Sequence, residues 1–129
     1  MEVIIVEDPA TIGVIGSGAV EALLARKPAA VLGLATGSSP LAIYDELIAR
    51  YEAGRLSFHQ ARGFTLDEYV GLPADHPERY RTVIDTVFAS RVDFAPGAVQ
   101  GPDGLAADIP AACAHYEAAI AEAGGVDLQ

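Results

Sequence analysis

Four short apolar runs, at residues 3–6, 30–35, 63–66 and 126–128, punctuate longer amphipathic stretches, and this alternation limits the fold more than any other feature. Each run is continuous rather than alternating and rich in branched residues, the pattern of strands buried on both faces of a parallel sheet. The stretches between them have helical spacing. Residues 10–26 place Ile12, Ile15, Ala19, Leu23 and Leu24 on one side. A second helix begins with Ser39 as N-cap and Pro40 at its first position, burying Leu41, Tyr44, Ile48 and Tyr51. A third starts near Asp75, with Glu78 at capping-box spacing and an apolar stripe of Tyr80, Val83, Ile84, Val87 and Phe88. A fourth opens at Asp108, with Pro110 in its first turn, and stops at Gly124-Gly125. Residues 93–104, rich in Pro and Gly, read as a surface loop. Strands alternating with helices predict an α/β fold: a doubly wound, mainly parallel sheet with helices on both faces, residues 1–129 forming a single domain.

With half of its 129 residues hydrophobic, the chain can bury a core. Eighteen acidic against eight basic side chains give a formal charge of −10, a field that repels DNA, RNA and anionic membrane surfaces and argues against a nucleic-acid role. A small anion is still compatible, because a helix N-terminus and one or two local cations reverse the potential over a few ångströms. No apolar run approaches ~20 residues. The start, Met1-Glu2-Val3-Ile4-Ile5-Val6, lacks the basic region and cleavage site of a secretion signal, so a soluble, cytoplasmic protein is expected. The single cysteine, Cys113, excludes an internal disulfide or a multi-cysteine metal site. Its helical spacing with Ile109, Ala112, Tyr116 and Ile120 predicts that it is buried.

Two of the strand ends carry chemistry. Val31-Leu32-Gly33-Leu34-Ala35-Thr36-Gly37-Ser38-Ser39-Pro40 runs from a buried strand through a hydroxyl-rich turn into a helix, whose free N–H groups favour an anion. No lysine follows the turn, so it is not the nucleotide-binding P-loop. Phe64-Thr65-Leu66-Asp67-Glu68-Tyr69-Val70-Gly71-Leu72-Pro73 ends a strand in adjacent carboxylates. Asp67 there is placed to act as a general base beside a charged ligand, although position alone favours a solvated carboxylate at a strand junction. A carboxylate of ordinary pKa ~3.9 is a weak base in water, so partial burial beside Leu66, Tyr69 and Val70 is expected to assist it. In open parallel sheets ligands collect at the carboxyl ends of strands, where both segments fall.

In this order and at this spacing the two segments resemble the glucosamine-6-phosphate deaminase family of the sugar isomerase group, and the likeness continues through Pro73 and His76-Pro77-Glu78. It covers essentially all 129 residues, but only about the first half of a family member. The resemblance implies a Rossmann-like sugar isomerase fold, with Thr36, Gly37, Ser38 and Ser39 wrapping the phosphate of glucosamine 6-phosphate. Asp67 is then the proton-transfer base, and neither metal nor organic cofactor is needed. Glu68 is assigned to substrate binding or to a structural role beside it. The ring-opening histidine of the family, with its acidic partners, would lie beyond Gln129. Residues 124–129 accordingly read as a helix stop and the opening of a strand, a truncation inside the sheet, and the 129 residues alone are expected to be inactive. Assembly into a homo-oligomer is left open.

Other readings fit less well. Val14-Ile15-Gly16-Ser17-Gly18 imitates a dinucleotide fingerprint, but a turn or helix start precedes it and no acid lies near Thr36 to bind a ribose. His59, His76 and His115 have no metal-ligand spacing and read as surface or capping residues. Tyr80 reads as core packing rather than as part of a lid. A 6-phosphogluconolactonase-like hydrolase shares the architecture and a similar phosphate loop, but Glu68-Tyr69-Val70-Gly71-Leu72 is the deaminase pattern. A non-catalytic sugar-phosphate sensor needs no base at Asp67 and predicts an attached DNA-binding segment.

Overall fold

The computed structural model describes residues 3–129; Met1 and Glu2, which precede the amino-terminal apolar run, lie outside the described residues. Three strands, β1 (Val31–Leu34), β2 (Arg62–Thr65) and β3 (Val99–Gln100), form a parallel sheet in the order β1-β2-β3. On the free edge of β1, Leu128 forms a single parallel bridge to Leu32, with Gly33 N–H donating to Leu128 O at 2.9 Å and Asp127 N–H to Val31 O at 2.8 Å. Among the described residues four α-helices, α1 (Pro9–Arg26), α2 (Leu41–Glu52), α3 (Tyr80–Val87) and α4 (Ile109–Glu122), and a 3-10 turn at Ala89–Arg91 surround the sheet.

Side chains alternate across the sheet, so the strands are buried on both faces, as their continuous apolar runs require. Leu32, Leu34 and Val99 pack with Leu23, Leu47, Ile48, Ile84 and Phe88 on one face, against α1, α2 and α3. Val31 and Phe64 meet Tyr116 and Ile120 of α4 on the other. Phe88 anchors the larger core: Tyr44 stacks on it at 4.7 Å and Phe58 meets it edge-on at 5.3 Å. Such pairs each contribute about 0.5–1.5 kcal/mol beyond the area they bury.

The ends of α1 and α4 match the sequence reading. Asp8 accepts from Thr11 N–H at 2.8 Å, Asp108 accepts from Ala111 N–H at 2.9 Å, and Gly124 and Gly125 end α4 with positive φ. Elsewhere the structure corrects it. Residues 3–6 form no strand among the described residues; Val3 and Ile5 stand exposed, since a strand needs a neighbouring ladder. The 93–104 segment is not all loop, because β3 lies within it and pairs Val99 with Gly63 and Gln100 with Phe64. Two residues are too few to leave a periodic signature. Ser39 does not cap α2: Pro40 occupies that position in helical conformation, and its carbonyl accepts from Ile43 and Tyr44. Leu41 is exposed, while Arg50 is buried through bonds to Glu21, Glu46 and the Val14 carbonyl. Cys113 is exposed too, outside the Tyr116, Ala119, Ile120 and Ala123 cluster that faces the sheet.

The buried stripe of α1 runs through Gly13, Ser17 and Leu24, with Ile12 and Ile15 turned outward. A Cβ at Gly13 would stand 2.5 Å from the Ala42 carbonyl oxygen, and one at Gly16 would stand 2.7 Å from Ile43 Cδ1. Ser17 Oγ donates to the Gly13 carbonyl within the same interface. The glycines that imitate a dinucleotide fingerprint are therefore what lets α1 approach α2. Gly13→Ala should destabilise the fold by about 1–3 kcal/mol, since backbone must move. Gly18→Ala, whose Cβ meets only Arg50 Nη1 at 3.8 Å, should stabilise it by about 0.5–1 kcal/mol through helix propensity. Urea denaturation midpoints of the two variants should move in opposite directions.

Candidate functional site

The carboxyl end of β1 is fixed from α2. Tyr44, buried against Phe88, donates its hydroxyl to the Ala35 carbonyl at 2.8 Å. Burial pushes this phenol up to about 12, against the smaller pull of its bond to Ala35, so it remains a donor. Thr36, next along the chain, is half-buried, and Gly37, Ser38 and Ser39 are exposed. Gly37 has φ +93 with open space where a Cβ would be, so conformation alone requires glycine there. The turn delivers the chain to α2, whose first turn holds no acidic residue and whose N-cap makes no side-chain hydrogen bond. Leu41 N–H donates to the Ser38 carbonyl at 3.4 Å and Ile43 N–H to that of Pro40 at 2.9 Å, and the positive end of the α2 dipole has no acidic residue of its first turn beside it.

The end of β2 is fixed from α4 in the same way. Tyr116, buried between α4 and the sheet, donates to the Thr65 carbonyl at 2.6 Å, and burial, its leading influence, holds the phenol above its ordinary value. Leu66, Asp67 and Val70 are exposed, so the partial burial expected to strengthen Asp67 as a base is not supplied by the described residues. Among those residues no ion pair engages the Asp67 carboxylate. Tyr69 and Tyr80 pack beside it with ring centroids 4.8 Å apart, and the Tyr80 hydroxyl donates to that of Tyr69 at 3.2 Å. That bond, with the nearby charges of Asp67 and Glu68, contributes to raising the Tyr80 phenol to about 12.

Glu68, by contrast, turns its carboxylate inward onto backbone. Its side chain is 2 % exposed, and its carboxylate accepts from the backbone N–H groups of Tyr69 at 2.9 Å, Tyr80 at 3.0 Å and Arg81 at 3.1 Å, facing Arg79 Nε at 3.6 Å. It thus caps α3 from outside the helix. The capping box expected at Asp75 and Glu78 is replaced by turns, and α3 begins at Tyr80, with its own N-cap residue, Arg79, making no side-chain cap bond. His76 Nδ1 accepts from Glu78 N–H at 3.1 Å within those turns.

Register sets the two segments side by side. Leu34 pairs with Thr65, so Thr36 and Asp67 each lie two residues past the same rung of neighbouring parallel strands. Asp67 lines a hollow of about 340 Å³ with Gly33, Thr65, Glu68, Tyr116 and Gln129. A second hollow, about 220 Å³, flanks the turn through Ala35 and Pro40 and shares Gly33 and Gln129 as wall. Thr36, Gly37, Ser38 and Ser39 line neither; their N–H groups and hydroxyls stand at the open edge. None of the three histidines lines the Asp67 hollow. Among the described residues no cluster of His, Cys, Asp and Glu could hold a metal ion, and no helix is long and apolar enough to cross a membrane. The roles of Tyr44 and Tyr116 were not foreseen: helical spacing marks both as core, and nothing local shows that their hydroxyls reach strand-end carbonyls.

No protein-family model matches the chain. Among solved structures it superimposes with a TM-score of 0.95, at 33% identity, on a monomeric glucosamine-6-phosphate deaminase described as a missing link of the NagB superfamily, covering all of this chain and 54% of that one. A 6-phosphogluconolactonase from Thermotoga maritima matches with a TM-score of 0.76 at 27% identity, over 92% of this chain and 52% of that one. The parallel sheet, its helices on both faces and its paired strand-end loops thus place the chain in the NagB class of α/β folds. Curated relatives resolve the class further. Glucosamine-6-phosphate deaminases of Mycolicibacterium smegmatis and Beutenbergia cavernae are 79% and 69% identical over all 129 residues, and each match covers 49% of the relative. The chain matches the amino-terminal half of glucosamine-6-phosphate deaminases and spans about half the length of these relatives.

The Glu68 cap has a pH signature. Burial pushes its carboxyl up, but the three backbone N–H bonds and Arg79 outweigh that, and the folded-state pKa lies below the ordinary 4.5. As pH falls the unfolded chain takes up the proton first, so the stabilisation is complete above about 4.5 and is lost as pH drops through the lower folded value. Glu68→Gln should therefore flatten the acid limb of stability against pH below 4.5, as read by urea midpoints, while lowering stability at pH 7.

Proposed function

We propose that the protein carrying this chain is a cytoplasmic glucosamine-6-phosphate deaminase of amino-sugar catabolism, converting glucosamine 6-phosphate and water into fructose 6-phosphate and ammonia. The observation that supports it most is the β1–β2 register, which brings an anion-ready turn and an unpaired carboxylate to adjacent strand ends. In this reading Thr36, Gly37, Ser38 and Ser39 hold the phosphate through backbone N–H groups and hydroxyls at the start of α2. Binding energy from that unreactive group then fixes the carbons to be rearranged. Asp67 takes the proton from C2 of the opened sugar and returns it at C1. As C1 gains that proton its aldehyde oxygen takes up one given by the amine, which leaves the nitrogen doubly bonded to C2; water then adds at C2 and ammonia leaves to give the ketone. The carboxylate ends the step as it began, and neither metal nor redox group enters the balance.

The exposure of Asp67 among the described residues makes closure over the substrate part of the proposal, since a base working in bulk water gains little. Ring opening is assigned to no residue here, because none of His59, His76 or His115 lines the hollow.

The likeness to a 6-phosphogluconolactonase keeps lactone hydrolysis as the competing reading. The two separate on one substrate pair. Ammonia release from glucosamine 6-phosphate, with no hydrolysis of 6-phosphogluconolactone, is the expected result, and the reverse would contradict the assignment. Asp67→Asn in the protein that carries this chain should lower kcat by about 10³-fold, within the range for loss of a general base, with KM changed less than about 3-fold because the phosphate contacts remain. A kcat within a few-fold of wild type would remove Asp67 from the reaction.

A further inference from the structure

The geometry points to Glu68 as a positioning residue that sets where Asp67 stands by clamping the loop between β2 and α3 to the N-terminus of α3. This rests on the assignment of Asp67 as the base.

The loop has little rigidity of its own. Leu66, Asp67, Tyr69 and Val70 are exposed, and no secondary structure runs from residue 66 to residue 79. Three anchors hold it. Tyr116 pins the Thr65 carbonyl on the strand side. Gly71 N–H donates to the Gly104 carbonyl at 2.9 Å on the far side, where the backbones pass so closely that a Cβ at Gly104 would run into the Tyr69 carbonyl. Between them stands Glu68, adjacent to Asp67 in the chain. Its buried carboxylate is the side-chain anchor next to Asp67, joined to Tyr69, Tyr80 and Arg81 N–H and opposed by Arg79, while the Tyr69–Tyr80 contact beside it is exposed. The Arg79 Nε is itself buried without a hydrogen-bond partner, 3.6 Å from Glu68, so that charge is held in place for this carboxylate.

A carboxylate at a helix N-terminus meets both the free N–H groups and the positive dipole end, which suits Glu68 to bear this tether. An arrangement in which Glu68 reached substrate would leave Tyr80 N–H, Arg81 N–H and Arg79 without their acceptor, at a desolvation cost the fold does not offset elsewhere. The Asp-Glu pair therefore divides its work. The first carboxylate faces the hollow, and the second fixes the first.

The test compares wild type with Glu68→Gln in the protein that carries this chain. The glutamine oxygen retains one acceptor, but its amide turns a donor toward Arg81 N–H and the charge opposite Arg79 is gone. Two quantities are read. Ammonia release from glucosamine 6-phosphate should lose about 10–100-fold in kcat, the scale of an ångström-sized misplacement, with KM within about 3-fold. Backbone amide exchange should accelerate at Tyr80 and Arg81 and, through the loop, at Gly71, while Leu32 and Phe64 in the sheet keep their rates. An unchanged kcat, or a rise in KM with kcat preserved, overturns the proposal and returns Glu68 to substrate binding. Exchange that speeds at Tyr80 and Arg81 but not at Gly71 also overturns it, because the cap would then serve α3 alone. If the wild-type protein releases no ammonia, the reading of the reaction fails, and the exchange at Gly71 alone decides whether Glu68 clamps the loop.

Discussion

Pairing of β1 with β2 in the register Leu34 to Thr65 is the constraint on which the rest of this molecule depends. Parallel strands send both chains out at the same edge, so the segments following them become neighbours without any contact of their own. A slip of one residue would turn every side chain of β2 to the opposite face. Phe64 would leave Tyr116, Gly63 would leave its tight place against Leu34 and Val99, and Asp67 would no longer follow the rung that Thr36 follows. The register is guarded on both faces: by Gly63, where a Cβ would stand 2.6 Å from Leu34 Cδ1, and by Phe64 against Tyr116 at 5.8 Å.

Two helix N-termini follow these strands and are treated differently. At α3 the free N–H groups are taken by a buried carboxylate delivered from the preceding loop. At α2 no acidic residue lies in the first turn and no side chain caps the start, and the turn before it consists of small residues with hydroxyls. Elementary electrostatics favours an anion at the second, whereas the first is already occupied by the fold's own carboxylate. In a chain of net charge −10 this local asymmetry matters more than the overall field, because an anion must find a few ångströms of positive potential rather than a basic surface.

Most of the architecture could be read along the chain because its signals are local. Continuous apolar runs marked β1 and β2, Asp8 and Asp108 cap the helices that begin beside them, and paired glycines end α4. What escaped was set by distant partners. Helix α3 starts at Tyr80 rather than near Asp75 because its cap comes from Glu68, in a different element. The α1 face was misjudged because tight packing on α2 selects Gly13 and Ser17 over the larger Ile12 and Ile15. The run at residues 3–6 has strand composition, but composition cannot supply the neighbouring ladder. For the site, the residue types and their order were visible, whereas the exposure of Asp67 and the hydroxyl pins from Tyr44 and Tyr116 arise only when the helices pack.

The central claim is spatial: one hexose phosphate bridges the turn after β1 and the carboxylate after β2. It is tested most directly by a crystal structure of the protein that carries this chain, bound to a hexose 6-phosphate that cannot react. The account predicts phosphate oxygens within hydrogen-bond reach of the N–H groups and hydroxyls between Thr36 and Ser39, and the sugar's C1–C2 edge about 3 Å from the Asp67 carboxylate. A phosphate seated away from that turn, or a sugar whose C1 and C2 lie beyond the reach of Asp67, would contradict it.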